Sequence, residues 1–141
     1  MNIRPVKKAD CNEIAELIIN ELGYQEQKRE DIFARFDKTN ADGNYHMLVA
    51  YVDDKVVGFI GLCKFYTYET DGYISILAFA VAEGYRQQGI GKKLLAAAKE
   101  YAVENNIKQM RVSSAFHREE AHLFYEANGF ERTSYTFIME I

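Results

Sequence analysis

The sequence predicts an α/β fold, a three-layer domain in which helices flank a mixed β-sheet. Runs rich in β-branched and aromatic residues alternate with segments whose apolar residues recur at helical spacing. The run "YISILAFAVA" (73–82) is apolar nearly throughout, as a central strand covered on both faces would be. A glycine-rich stretch then leads straight into a long amphipathic pattern. With 141 residues, 48% of them hydrophobic, the chain has the size and core content of one domain spanning 1–141.

The elements follow in order. "MNIRPV" (1–6) is a short edge strand, where the missing donor of Pro5 is tolerated. Asp10 and Glu13 form a capping-box-like start. Ile14, Leu17, Ile18 and Leu22 then mark one buried helical face, closed by Gly23. "EQKREDIFARF" (26–36) is a second helix with Ile32, Phe33 and Phe36 inward, and "TNADGN" (39–44) is a polar loop. "HMLVAYV" and "KVVGFIGLCKFYTY" are strands joined as a hairpin at Asp53-Asp54-Lys55. After a turn at Thr70-Asp71-Gly72 and the apolar strand, a long helix faces Ile90, Leu94, Leu95, Ala98, Ala102 and Val103 inward. "IKQMRVSSAF" (107–116) is a strand, "REEAHLFYEAN" (118–128) a helix ending at Gly129, and "RTSYTFIMEI" (132–141) a last strand. The predicted order is β-α-α-β-β-β-α-β-α-β.

Composition narrows the function. A formal charge of −4 argues against nucleic-acid binding and is compatible with a cationic partner, though it is also ordinary for a soluble protein. Cys11 and Cys63 are far apart and lack metal-ligand spacing, which suits two buried thiols in a reducing compartment. The N-terminus lacks the apolar core of a signal peptide, and no run reaches the ~18 apolar residues of a membrane span. A cytoplasmic protein with no membrane partner is expected.

The stretch "EGYRQQGIGKKLL" (83–95) carries the chemistry. A helix start leaves main-chain N–H groups unpaired and adds partial positive charge, so an anion is its natural ligand. Gly89 and Gly91 let a phosphate approach, and Arg86, Lys92 and Lys93 are available at the edge. Gly84 and Gly89 have Walker spacing, but Ile90-Gly91 stand where Lys-Ser/Thr is required. The dinucleotide fingerprint needs a third glycine where this chain has Leu94.

What remains, Arg86-x-x-Gly89-x-Gly91 between a buried strand and a helix, resembles the signature of the GCN5-related N-acetyltransferase (GNAT) superfamily. "NIRPVKKADCNEIAELI" is similar to the family's opening strand and helix, and "VAYVDDKVVGFIGL" to its central hairpin. "REEAHLFYEANGFERTSYTF", with Ala121, Tyr125, Gly129 and Phe130, is similar to its C-terminal unit. The "HREEAH…FYEANGF" wording is most similar to small-molecule acetyltransferases of the aminoalkylphosphonate type.

The resemblance implies the acyl-CoA N-acyltransferase fold and transfer of acetyl from acetyl-CoA to a primary amine of a small molecule. A protein or peptide amine as acceptor, and a non-catalytic acyl-CoA-binding domain, stand as alternatives. It implies that main-chain groups of Phe79, Ala80 and Val81 pair with the pantetheine arm. The amides of Gln87, Gln88, Gly89, Ile90 and Gly91 would hold the pyrophosphate, with Arg86 and Lys92 nearby, either of which also fits a solvated surface charge. His117 would lie beside the CoA channel. Tyr125 takes the place of the family's general acid, protonating the departing thiolate; a core aromatic is its plain alternative.

The family's strand carboxylate is missing, since Ser75, Leu77 and Ala78 occupy those positions and Glu83 falls in the loop. Relay through water to Tyr73, His117 or a helical carboxylate, or arrival of a neutral amine, would replace it. Arg118 stands where the family often has Asn. The histidines lack HExxH spacing, so no metal is expected. Acceptor-lining candidates are Tyr24, Phe33, Phe65, Tyr66, Tyr68, Tyr73 and Tyr135, and Glu26, Glu30 and Asp31 are candidate attractors of a cationic amine. "YTFIMEI" could pair in a homodimer or close the monomer's own sheet.

Overall fold

The computed structural model describes residues 1–141. They divide into two compact units, Met1–Arg111 and Val112–Ile141. The first unit contains β1 (Asn2–Pro5), α1 (Cys11–Asn20), α2 (Arg29–Asn40), β2 (Tyr45–Val52), β3 (Lys55–Phe65), β4 (Tyr73–Val81) and α3 (Ile90–Glu104). A short β5 (Met110–Val112) straddles the boundary. The strands lie in the order β1-β2-β3-β4-β5, and the first four are antiparallel neighbours. β5 returns beside β4 after a helix-length connection, the kind a parallel neighbour requires, so the sheet is mixed as expected.

β3 is the axis of this unit: every residue from Val56 to Cys63 is buried. Side chains alternate across a strand, so such a run needs cover on both faces. Phe59 clusters with Ile14 and Leu17 of α1 and Phe36 of α2. Gly58 faces α3, where a Cβ would stand 3.3 Å from the Leu94 side chain and 3.1 Å from the Ala80 carbonyl. Along α3, Ile90, Leu94, Leu95, Ala98 and Ala102 are buried as predicted. Val103 is not: it is 73% exposed, since one residue beyond Ala102 turns about 100° off the buried stripe.

Turns follow their local chemistry. Asp53 (φ 49°) and Asp54 (φ 63°) form the two-residue left-handed turn that matches strand twist in a hairpin. Gly72 has φ +101°, and a Cβ there would lie 2.7 Å from the Phe65 carbonyl oxygen. Both thiols, Cys11 and Cys63, are buried and unbridged, and burial raises the pKa of each.

Other expectations need correction. β4 is not covered on both faces throughout: Gly61 pairs with Ala78 and Leu62 with Ile76, leaving Leu77 as the extra residue of a bulge, 51% exposed. α2 starts at Arg29 rather than residue 26, because Lys28 is extended, and it takes Thr39 and Asn40 from the predicted loop. The strand expected over 107–116 is only Met110–Val112. Residues 130–141 form no strand, and Tyr135, Phe137, Ile138, Met139 and Ile141 are exposed. Apolar sequence alone does not make a strand without a ladder partner.

In the second unit, α4 (Glu119–Ala127) ends at Gly129 (φ +92°). Phe130 N–H donates to the Tyr125 carbonyl at 3.0 Å and Gly129 N–H to the Glu126 carbonyl at 3.3 Å, a Schellman closure. No helix of the chain is long and apolar enough to cross a membrane.

Asp10 and Glu13 do not form the predicted capping box. Asp10, only 5% exposed, accepts from Arg4 Nη1 at 2.7 Å, Arg4 Nη2 at 2.9 Å and Lys7 N–H at 2.7 Å. Glu13 instead accepts from Val56 N–H at 2.8 Å, joining α1 to β3. The Arg4 hydrogen bonds hold the Asp10 carboxyl below the usual carboxylate range, against the opposing effect of burial. A lowered folded pKa means that this stabilisation is present above the unfolded carboxylate's pKa and is lost as pH falls through the folded one. Asp10→Ala is therefore expected to cost about 2–3 kcal/mol in urea unfolding at neutral pH, because the Arg4 charge is left partly buried. The gap between variant and parent narrows on acidification below about pH 4.

Candidate functional site

The segment between β4 and α3 is built around missing hydrogen bonds. After Val81 the chain makes a 3-10 turn over Glu83–Tyr85, then passes through Gln87 at φ +60° and Gly89 at φ +78° before α3 begins at Ile90. The first bond into the helix runs from Lys93 N–H to the Gly89 carbonyl at 3.0 Å. The amides of Gln87, Gln88, Gly89, Ile90, Gly91 and Lys92 donate to no protein acceptor. Left-handed residues interspersed in such a loop curve successive N–H groups toward one point, and the α3 dipole adds to their positive potential. A Cβ on Gly89 would meet nothing within 4 Å, so the space beside this residue is open. The arrangement accepts an anion.

The loop is braced from α1. Glu21, at the C-terminal end of that helix, accepts from Glu83 N–H at 3.2 Å and pairs with the Arg86 guanidinium. Arg86 Nε also donates to the Val81 carbonyl at 3.2 Å. Two of the guanidinium's nitrogens are thus engaged in holding the loop, a role that the spacing of Arg86 from the glycines did not reveal. Glu83 is exposed, and Lys92 is exposed in the first turn of α3.

Along β4, upstream of the loop, Ala78 and the bulged Leu77 border a cavity of about 530 Å³. Its walls are mainly apolar, from Ile14 and Ile18 of α1, Ile32 and Phe36 of α2, and Met47 of β2. Polar groups gather at Tyr24, Gln27, Arg35 and Tyr45, which are exposed or partly so. The size and the apolar wall with few polar groups are those of a small-molecule pocket. Of the first unit's predicted lining residues, Tyr24 borders this cavity and Phe33 packs on the neighbouring core. Phe65, Tyr66 and Tyr68 are exposed, and Tyr73 stacks on Phe65 at 5.4 Å with the Arg111 guanidinium 4.0 Å from its ring centroid. Glu26, Glu30 and Asp31 do not border it. Tyr135 belongs to the second unit and is 80% exposed.

Sequence reasoning missed Gln27, Arg35 and Met47. Arg35 lies three residues after Ile32, hence on a neighbouring face of α2, and that offset was the available signal. β4 itself carries no carboxylate or histidine. His46 of β2 stacks on Tyr101 of α3 at 4.2 Å, and burial lowers its pKa.

In the second unit, Tyr125 lies on α4 with its ring edge-on to Phe124 at 5.7 Å and to Phe130 at 5.4 Å. The Schellman closure sets the Phe130 contact, since it brings the residue after Gly129 back onto Tyr125. Burial raises the phenol's pKa, partly opposed by Arg118. His117 is exposed in the turn before α4, beyond the end of β5.

Comparison with known proteins supplies context for this geometry. The model of the "Acetyltransferase (GNAT) family" matches residues 11–130. An aminoalkylphosphonate N-acetyltransferase of Salmonella typhimurium is 33% identical over 125 residues, covering 88% of this chain and 78% of the relative. A solved protein of Bacillus halodurans, described as a transcriptional regulator, superposes with a TM-score of 0.90 at 22% identity over 99% of each chain. The aminoglycoside acetyltransferase AAC(6')-Iy, solved with the bisubstrate analog CoA-S-monomethyl-acetylneamine, superposes with a TM-score of 0.86 at 17% identity, over 99% of this chain and 97% of that one. These structural likenesses establish the acyl-CoA N-acyltransferase fold.

The brace makes a prediction of its own. In Glu21→Gln the Arg86 charge loses its carboxylate, so amide hydrogen exchange across 83–89 should accelerate. Global stability should fall by no more than about 1 kcal/mol, because the Arg86 side chain is half exposed.

Proposed function

The chain belongs to the acetyltransferase (GNAT) family, and on that premise we propose that it transfers acetyl from acetyl-CoA to a primary amine of a small molecule. The observation that carries the reading is the row of undonated amides from Gln87 to Lys92, opening beside a strand that also borders a small-molecule-sized cavity. In this reading those amides hold the CoA diphosphate, with Lys92 and the remaining donors of Arg86 at its edge. The main chain of Phe79, Ala80 and Val81 aligns the pantetheine arm. β5 has three residues against nine in β4, and Ile74 N–H donates to the Gln109 carbonyl at 2.9 Å, so β5 lies toward the start of β4, at the end away from the loop. From Ala78 to Val81 the strand advances about 10 Å, so an extended arm runs from the loop toward the cavity. The family match runs across both compact units, which supports treating 1–141 as one acetyltransferase domain.

Bound acetyl-CoA supplies an activated thioester. Tyr125 is assigned the proton for the departing sulfur: a phenol is protonated at neutral pH, as a general acid must be, and burial shifts it further in that direction. With no carboxylate or histidine on β4, the attacking amine enters neutral or loses its proton to water, and the apolar cavity favours its uncharged form. His117, exposed before α4, is assigned an outer contact with the cofactor. The aminoalkylphosphonate relative supports a small-molecule acceptor over a protein amine.

The test is CoA release from acetyl-CoA across an amine panel, alongside calorimetry with CoA. Gly89→Val should weaken CoA binding by at least tenfold while costing about 1–2 kcal/mol of stability, since it puts a branched side chain in the middle of the amide row and strains a left-handed residue. Tyr125→Phe should lower kcat by roughly 10²-fold with CoA affinity unchanged. In kcat/KM against pH, the rising limb should follow the pKa of whichever amine is supplied. A limb fixed across acceptors of different basicity would instead reveal a protein base.

A further inference from the structure

The cavity beneath α1 and α2 has a charge asymmetry that bears on its occupant. None of its lining residues is an Asp or Glu, and its one arginine or lysine is Arg35. Arg35 has no carboxylate within ion-pair distance, whereas Arg4, Arg29 and Arg86 each have one. Its Nη1 donates instead to Gln27 Oε1 at 2.5 Å, and Gln27 also borders the cavity. A neutral amide thus positions the guanidinium at the rim while leaving its charge uncompensated. His46 adds no second cation, because its ring is stacked on Tyr101 and burial favours the neutral form.

We propose that the acceptor is an amine whose apolar body ends in an anion, a carboxylate or a phosphonate, and that Arg35 reads that anion. The inference rests on the acetyltransferase reading above and narrows its substrate class. Ile14, Ile18, Ile32, Phe36 and Met47 give the body of such a molecule an apolar wall. A second ammonium in the same cavity would lose water and find no carboxylate in return. Arg35 offers the planar donor fork that carboxylates and phosphonates accept, and Tyr24 and Tyr45, both partly exposed, line the same cavity. The reacting amine is left toward the bulge of β4 at Leu77 and Ala78, where the wall carries no charge.

The experiment measures affinity and turnover separately. An ω-aminoalkyl phosphonate, the matching ω-amino carboxylate, the unsubstituted alkylamine and a diamine of equal length are titrated calorimetrically, with and without CoA, against the parent chain, Arg35→Gln and Arg35→Lys. The phosphonate or carboxylate should bind the parent at least tenfold more tightly than the alkylamine and the diamine. Arg35→Gln should weaken that anionic amine by about 10- to 100-fold and leave the alkylamine unchanged, while Arg35→Lys restores part of the loss. A parent that binds neither anionic amine, prefers the alkylamine or diamine, or keeps its preference in Arg35→Gln overturns the proposal. Arg35-dependent anion binding without acetyl transfer to any amine would uphold this inference and remove the catalytic reading. Turnover indifferent to the anion would do the reverse.

Discussion

A strand buried on both faces cannot stand alone, and β3 is such a strand from Val56 to Cys63. Its backbone must be paired on both edges, which β2 and β4 provide, and both its faces must be roofed by helices. α1 and α2 supply the cluster around Phe59, and α3 approaches closely enough over Gly58 that a methyl group there would press on Leu94. The position of α3, and with it the loop that launches it, follows from the need to cover this strand.

The functional features arise where that regular construction is interrupted. The pairing of β3 with β4 slips by one residue at Leu77, and the side chain so displaced borders a cavity that the helices do not fill. Past the end of β4, the chain cannot begin α3 without leaving its first amides unpaired, and two left-handed residues gather them. Both features are departures from full hydrogen bonding or full packing. Such departures are tolerated when surrounding structure fixes them, here by Glu21 on the loop side and by the apolar walls on the other.

The core of this organisation was legible in the sequence. The spacing of Ile90, Leu94, Leu95, Ala98 and Ala102 fixed the buried stripe of α3, and Gly89, read as a residue that lets a phosphate approach, stands just before its first turn. Gly129 likewise marked the end of α4. A one-residue slip was not legible: period-two patterning cannot say which residue of an apolar run is the extra one, so Leu77 passed for core. "RTSYTFIMEI" has strand composition, but composition carries no information about whether a ladder partner exists. Asp10 and Glu13 matched a local capping pattern, yet distant partners, Arg4 and the Val56 amide, claimed both carboxylates. Arg35 was overlooked because an exposed arginine acquires meaning only when the surface beside it is known.

One helix touches both halves of this arrangement. α1 contributes Ile14 and Ile18 to the cavity wall, and just past its end Glu21 grips the glycine loop. The helix is thus one element shared by the cavity wall and the brace of the loop, so any effect of occupancy on the Glu21–Arg86 pair would act through it. Any such linkage would be mutual: whatever occupancy of the cavity did to the grip, tightening the grip would do to occupancy in equal measure.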